Sequence, residues 1–366
     1  MKRICHLTSV HSRNDVRIFY KECCSLSKNF IVYLIVSDGF GREKINNIDI
    51  VDVGKHEGNR ISRMFSVSKL ILKTAKELNC DLYHFHDPEL IPVGLRLLSM
   101  GKKVIYDVHE DVPKDILYKS YINKHFRLIL SNCFKLFEHY AAKRFSAIIT
   151  STPYIRNRFY AININTIDIK NYPSLTEFHE TKRWNKKENE ICYLGSITSV
   201  RGLYETVKAI ELIECKLHLA GLFDDIKYKE TVTTLEGWKK VIYYGFVNRE
   251  KTKEILRTTK IGLVVLHPIT TFMDSLPIKM FEYMSAGLPV IASNFPLWKD
   301  IIEENNCGIC VDPLNTNDIS QAINYLLNNN DIAQKMGENG RKVVEEKYNW
   351  EKEEAILIDL YTRICN

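Results

Sequence analysis

At 366 residues the chain exceeds one ordinary hydrophobic core, so two domains of roughly 150–200 residues are expected. Its 45% hydrophobic and 26% charged content excludes a disordered chain, and no apolar run reaches the roughly 18 residues that span a bilayer. The net charge of +6 is divided unevenly: residues 1–170 hold 27 Lys and Arg against 17 Asp and Glu, a net +10, and the remainder is −4.

The opening MKRICHLTSV turns polar too early for a signal peptide and reads as a first buried strand. Apolar β-rich runs then alternate with amphipathic helical runs, the pattern of parallel α/β sheets. In the first half the strands read as RICHLT, FIVYLIV, DIVDV, DLYHF, KKVIYDV and SAIITS. A helix fits residues 62–78, where Ile71, Ala75 and Leu78 recur at helical spacing. Residues 118–145 mix Lys119, Lys124, Arg127, Lys135, Lys143 and Arg144 with aromatic and aliphatic side chains. In a basic half-chain this stretch suits an anionic lipid surface, and no base-reading module points to nucleic acid. Residues 171–189 are polar and aperiodic and hold Pro173, so they read as a linker between a domain at 1–170 and one at 190–349.

The second series reads as EICYLG, KLHLAG, KVIYYG, IGLVVLHP, LPVIAS and CGICVDP. Gly195, Gly221 and Gly245 end three of these strands, where glycine lets a ligand approach the sheet's carboxyl edge. Helices follow from about Asp318, Ile332 and Trp350. Between the last strands lies DSLPIKMFEYMSAGLPVIASN, residues 274–294. It sets Asp274 and Glu282 eight apart around Lys279, carboxylates for sugar hydroxyls and a cation for phosphates. Pro277 fits the first turn of a helix whose N-terminus favours an anion, and Gly287 ends that helix.

These pieces, with YLGSITSVRGLYETVKAI, VIYYGFVNRE, NNCGICVDP, MGENGR and YNWEKEEAILIDLY, closely resemble glycosyltransferase family 4. The first half resembles it more loosely, through HSRNDVRIFYKE, DLYHFHDPEL, YDVHEDVP and KNYP. The resemblance implies an α/β GT-B fold, two Rossmann-like domains with parallel sheets facing across a cleft. Residues 350–366 would form a terminal helix crossing back to the N-terminal domain. It implies a retaining glycosyltransferase that needs no cofactor and no bound metal. The C-terminal domain would take a nucleotide sugar, a UDP-sugar ahead of a GDP-sugar, at Gly195, Ser196, Arg201, Gly221, Lys279 and Glu282. Arg201 and Lys279 would hold the diphosphate, Glu282 the ribose and Asp274, where the family has Glu, the sugar. Ser196 stands where the family usually has an arginine. His109 would face the reacting sugar, and His11, Asp15, Arg17 and His86 would lie on the acceptor side.

The acceptor expected is a glycan or lipid-linked oligosaccharide of O-antigen or capsule synthesis. Ten cysteines without framework spacing indicate reduced thiols and a cytoplasmic protein, compatible with a peripheral place on the membrane's inner face. Cys307 and Cys310 have redox-motif spacing but follow an acidic helix and lie in the family's strand–turn. His84 and His86 share a strand face, yet no third ligand at clear spacing accompanies them, so no metal is read there. No G-x-G-x-x-G follows the first strand, which disfavours a nicotinamide dehydrogenase. Two other readings stand beside transfer: a GT-B-fold nucleotide-sugar epimerase, and a catalytically silent sugar-nucleotide-binding subunit of a transferase complex.

Overall fold

The computed structural model describes residues 1–56, 58–118, 123–178 and 184–366. The chain divides into two compact units, Met1–Asn171 with Glu353–Asn366, and Tyr172–Lys352. Part of the expected linker, residues 179–183, lies outside the described residues. Of its described part, Tyr172 and Phe178 are buried in the core of the second unit.

The first unit holds β1 (Arg3–Leu7), β2 (Ile31–Val36), β3 (Glu43–Ile45), β4 (Ile48–Asp52), β5 (Leu82–Phe85), β6 (Lys103–Val108), β7 (Ala147–Thr150) and β8 (Thr166–Asp168). Their order is β3-β4-β2-β1-β5-β6-β7-β8. Pairing is parallel throughout except between β3 and β4. Six of these strands are the six expected. The additions, β3 and β8, have three residues each, too few to display a period. β3 joins β4 through Asn46 and Asn47, both at positive φ (50° and 65°), as a tight two-residue hairpin requires. The helix of residues 62–78 is found as Arg60–Leu78, capped at Asn59. Residues 118–145 supply a helix at Lys124–Ala142, and Lys119 lies outside the described residues.

The second unit holds β9 (Glu190–Leu194), β10 (Lys216–Ala220), β11 (Val241–Gly245), β12 (Ile261–Val264), β13 (Val290–Ser293) and β14 (Gly308–Val311), the six strands expected. They are all parallel, in the order β11-β10-β9-β12-β13-β14. Along β9, Ile191 and Tyr193 enter one apolar cluster while Cys192 and Leu194 enter another. The alternation shows both faces of the sheet covered, as a parallel sheet needs. Consecutive strands run outward from β9 on one side and from β12 on the other. The doubly wound order therefore reverses between β9 and β12, where such sheets leave a crevice for ligand.

Candidate sugar-nucleotide site and histidine cluster

At the β9–β12 reversal the loop after β9 carries Gly195, Ser196 and Arg201, and it ends at Gly202. Gly202 caps the helix Leu203–Ala209 at φ 69°, and a Cβ there would lie 1.8 Å from the Val265 carbonyl oxygen. Only glycine lets this loop pack against the end of β12. Gly221, after β10, is held to the same loop: a Cβ there would meet the Gly195 oxygen at 1.9 Å.

Lys279 and Glu282 stand on the helix Ile278–Ser285, one turn apart and so on one face. Pro277 takes the N-cap rather than the first-turn position expected of it, and its own side chain makes no capping hydrogen bond. At the other end Gly287 is left-handed (φ 69°), with Leu288 N–H donating to Tyr283 O and Gly287 N–H to Met284 O. This double bond stops the helix and starts the turn into β13.

Lys279 is 8% exposed, and its Nζ lies 3.8 Å from the centroid of the Tyr193 ring. The Nζ has no hydrogen-bond partner among the described residues. Burial, helped by repulsion from Arg201, pushes its pKa down to about 7. Thr198 Oγ1 and Arg201 Nε are likewise buried without partners, and the Arg201 guanidinium sits 5.3 Å over the Phe272 ring. Buried polar atoms are ordinarily satisfied, so their collection at one sheet edge marks a place for a polar ligand. The orphans include a lysine and an arginine, side chains suited to an anion.

Glu282 is buried, and its Oε1 accepts from Arg249 Nη1 at 2.7 Å. Arg249 also donates from Nε to Glu177 Oε1 at 2.7 Å. Sequence reasoning passed over Arg249, although the quoted VIYYGFVNRE contains it. Asp274 follows the short helix Thr270–Met273 and is half-buried, while Ser196 is exposed.

In the first unit the carboxyl ends of β1, β5 and β6 bring His11, Asp15, Asp87 and His109 together. His11 lies 3.4 Å from both Asp15 and Asp87, and its ring centroid is 5.4 Å from that of His109. Burial works against a proton on His11, but the Asp15 hydrogen bond and the charges of Asp87 and Asp107 raise its pKa. Asp15 also caps the π-helix Val16–Cys23, accepting from the Arg17 and Ile18 N–H groups. His109 is partly exposed and bonded through Nε2 to Asp107 Oδ2 at 2.9 Å. Against its burial, Asp107 is held well below the usual carboxylate range by Arg17 and His109.

Arg17 and His86 differ from the expectation of an acceptor-facing position. Arg17 is 5% exposed, donates twice to Asp107 at 3.1 Å and once to the Ile169 carbonyl at 2.7 Å. His86 is buried, 3.2 Å from Asp107 and 3.3 Å from His109. Arg17 lies behind His109 because Asp107, buried on a central strand, needs a counter-charge where water does not reach. His86, whose pKa burial pushes down to about 4, meets Asp107 as a neutral hydrogen-bonding partner. Two metal-ligand candidates that the local spacing did not offer also appear: His6 and Glu22 come beside His84 and His86. Cys307 and Cys310 are free thiols, each pushed up to about 12 first by burial, which leaves no reactive thiolate.

Residues 25–169 match the family model Glycosyltransferase Family 4, and residues 175–343 match Glycosyl transferases group 1. An uncharacterised glycosyltransferase of Methanocaldococcus jannaschii is 27% identical over 179 residues, 48% of this chain and 45% of that one. The chain spans about half the length of the curated relatives it matches, 45% and 55% for two of them. The sucrose-phosphate synthase of Thermosynechococcus elongatus superposes with TM-score 0.79 at 16% identity, over 100% of this chain and 99% of that one. An Anabaena protein solved in complex with UDP-glucose gives TM-score 0.74 at 13% identity, over 99% and 100%.

Proposed function

Because the chain belongs to glycosyltransferase family 4 and has the GT-B fold, we propose that it moves a sugar from a nucleoside-diphosphate donor to a saccharide acceptor, retaining the anomeric configuration. The observation that carries this reading is Lys279 Nζ, buried and unpartnered beside Arg201 at the β9–β12 reversal. These two cations receive the diphosphate and stabilise the charge that develops on it as it leaves. Glu282 is fixed by Arg249 through Oε1 and presents its other oxygen to the ribose; Asp274 serves a sugar hydroxyl.

The acceptor hydroxyl attacks the anomeric carbon from the face the diphosphate vacates. The bond to the diphosphate oxygen breaks, the bond to the acceptor oxygen forms, and the acceptor proton passes to the departing diphosphate. No protein nucleophile takes part. His109, held by Asp107, donates at the reacting centre, and His11 and Asp15 serve the acceptor. The donor phosphates need no metal in this scheme, since Arg201, Lys279 and the N-terminus of the helix Ile278–Ser285 supply positive charge. The UDP-glucose complex of the Anabaena neighbour supports a UDP-sugar donor ahead of a GDP-sugar.

For the acceptor we favour a lipid-linked oligosaccharide of surface-polysaccharide synthesis. The helix Lys124–Ala142 supports this, because it leaves Phe126, Leu128, Ile129, Leu136 and Tyr140 exposed among Lys124, Arg127 and Lys135. No helix among the described residues is long and apolar enough to cross a membrane.

Nucleotide release and product analysis test the reading. Glu282→Gln and Arg201→Ala should each slow transfer at least about tenfold, or about 1.4 kcal/mol in the barrier. Unchanged turnover in both folded variants would overturn the assignments. Product formed without an acceptor identifies an epimerase; nucleotide bound but never released identifies a silent subunit.

A further inference from the structure

We propose that the first unit binds a divalent transition-metal ion, zinc by the chemistry of its donors, among His6, Glu22, His84 and His86. These residues belong to the first unit, and the sugar-nucleotide residues Arg201, Lys279 and Glu282 to the second. His6 on β1 and His84 on β5 are register partners in adjacent parallel strands, so their side chains share a face. His86 is two residues beyond His84 and returns to that face. The π-helix Val16–Cys23 brings Glu22 onto it. All four side chains are fully buried, and one donor atom from each lies within 4.8 Å of the others.

The distances fit a shared ion better than direct hydrogen bonds. Glu22 Oε2 lies 3.9 Å from His6 Nδ1, 3.9 Å from His84 Nδ1 and 4.0 Å from His86 Nε2. Three imidazole nitrogens thus surround one carboxylate oxygen, each beyond hydrogen-bond reach. His6 Nδ1 and His86 Nε2 are 3.0 Å apart. Ligands about 2.0–2.1 Å from a tetrahedral zinc ion stand about 3.4 Å from one another, between the 3.0 Å of the His6–His86 pair and the 3.9–4.0 Å from Glu22 to each histidine.

Glu22 Oε2, the oxygen the three histidines face, has no hydrogen-bond partner among the described residues. Glu22 Oε1 faces Arg17 Nε at 3.0 Å, the charged support that a ligating carboxylate usually has. His86 presents Nδ1 to Asp107 at 3.2 Å, which turns Nε2 inward as a lone-pair donor. His84 Nδ1 is shared with the Tyr361 hydroxyl at 2.6 Å, and that hydroxyl also lies 3.3 Å from His6 Nε2. Two carboxylates, Glu22 and Asp107, face the one guanidinium of Arg17. His86 also belongs to a second donor trio, with Asp107 and the partly exposed His109.

The test is elemental analysis of the full-length protein after exposure to Zn²⁺ and dialysis, with a Co²⁺ titration read by visible absorption. About one zinc per chain is expected, with a rise in melting temperature and an intense tetrahedral Co²⁺ band. The double variant Glu22→Gln/His84→Gln should lose the metal and the band while keeping its circular dichroism. No retained metal in the wild-type protein, or equal retention in the folded double variant, overturns the proposal. Should the variant not fold, the wild-type Co²⁺ spectrum decides: a tetrahedral band supports the site, and its absence refutes it.

Discussion

An ammonium group buried without a hydrogen bond is held at a cost, and Lys279 shows it in a pKa pushed down to about 7 by burial and by Arg201. The unfolded chain keeps that lysine protonated up to its ordinary 10.5. Between the two values the unfolded state binds the extra proton, so this residue's contribution to folding stability grows as pH rises from about 7 to 10.5 and is lost as pH falls through 7. Donor binding has the opposite sign. A diphosphate against Lys279 favours the charged form, so UDP affinity should fall up to about tenfold per pH unit above 7, with proton uptake on binding. Calorimetry in buffers of different ionisation enthalpy reads both; affinity flat from pH 7 to 9 with no proton uptake would contradict the placement of Lys279. The residue types of this site were visible in the chain because Asp274, Lys279 and Glu282 lie within one short segment. Depth was not. Nothing local to HSRNDVR distinguishes His11 and Asp15, which reach partial exposure, from Arg17, which turns inward to Asp107 ninety positions away. Arg249 escaped for a related reason: its partners Glu177 and Glu282 are 72 and 33 positions distant.

Among the elements, the helix Lys124–Ala142 is unusual in how little of it is covered. Of its 19 residues Ser131, Glu138, Ala141 and Ala142 are the buried ones, while Leu136 is 71% and Ile129 60% exposed. Apolar side chains at this exposure, interleaved with lysine and arginine, suit the headgroup boundary of an anionic bilayer. The protein should co-sediment with phosphatidylglycerol-containing vesicles at low salt and release as salt rises. Ile129→Glu/Leu136→Glu should weaken that binding without changing circular dichroism. Equal binding to purely zwitterionic vesicles, or none at low salt, would contradict a charge-assisted membrane face. Period-2 and period-3.6 patterns located the long elements because burial imposes them along several turns or pleats. β3 and β8 were missed because three residues at a sheet edge carry no period, although Asn46-Asn47 is a turn signal that identifies the β3–β4 hairpin. Pro277 lies one position outside the helix it was expected to begin, a difference set by its extended ψ of 124°.

For the molecule as a whole, alternation of apolar strands with amphipathic helices was enough to read two doubly wound units. The strand order was not legible in the pattern itself. It follows from the crossovers, which turn back between β9 and β12 in the second unit and carry Arg201 to the edge where Lys279 waits. In the first unit the corresponding reversal falls between β1 and β5, and the histidine–carboxylate cluster gathers there. A single fold rule thus accounts for both concentrations of polar side chains, one suited to a nucleoside diphosphate and one rich in metal-binding donors. The most direct test of the central claim is a thermal-shift panel of UDP, GDP, ADP and NAD on the wild-type protein and on Lys279→Met. Ligand at about 100 times its dissociation constant adds roughly 2.7 kcal/mol of stability. The account predicts a clear shift with UDP or GDP alone, much reduced in the variant. No shift with any nucleotide, or an equal shift without the lysine, would contradict it.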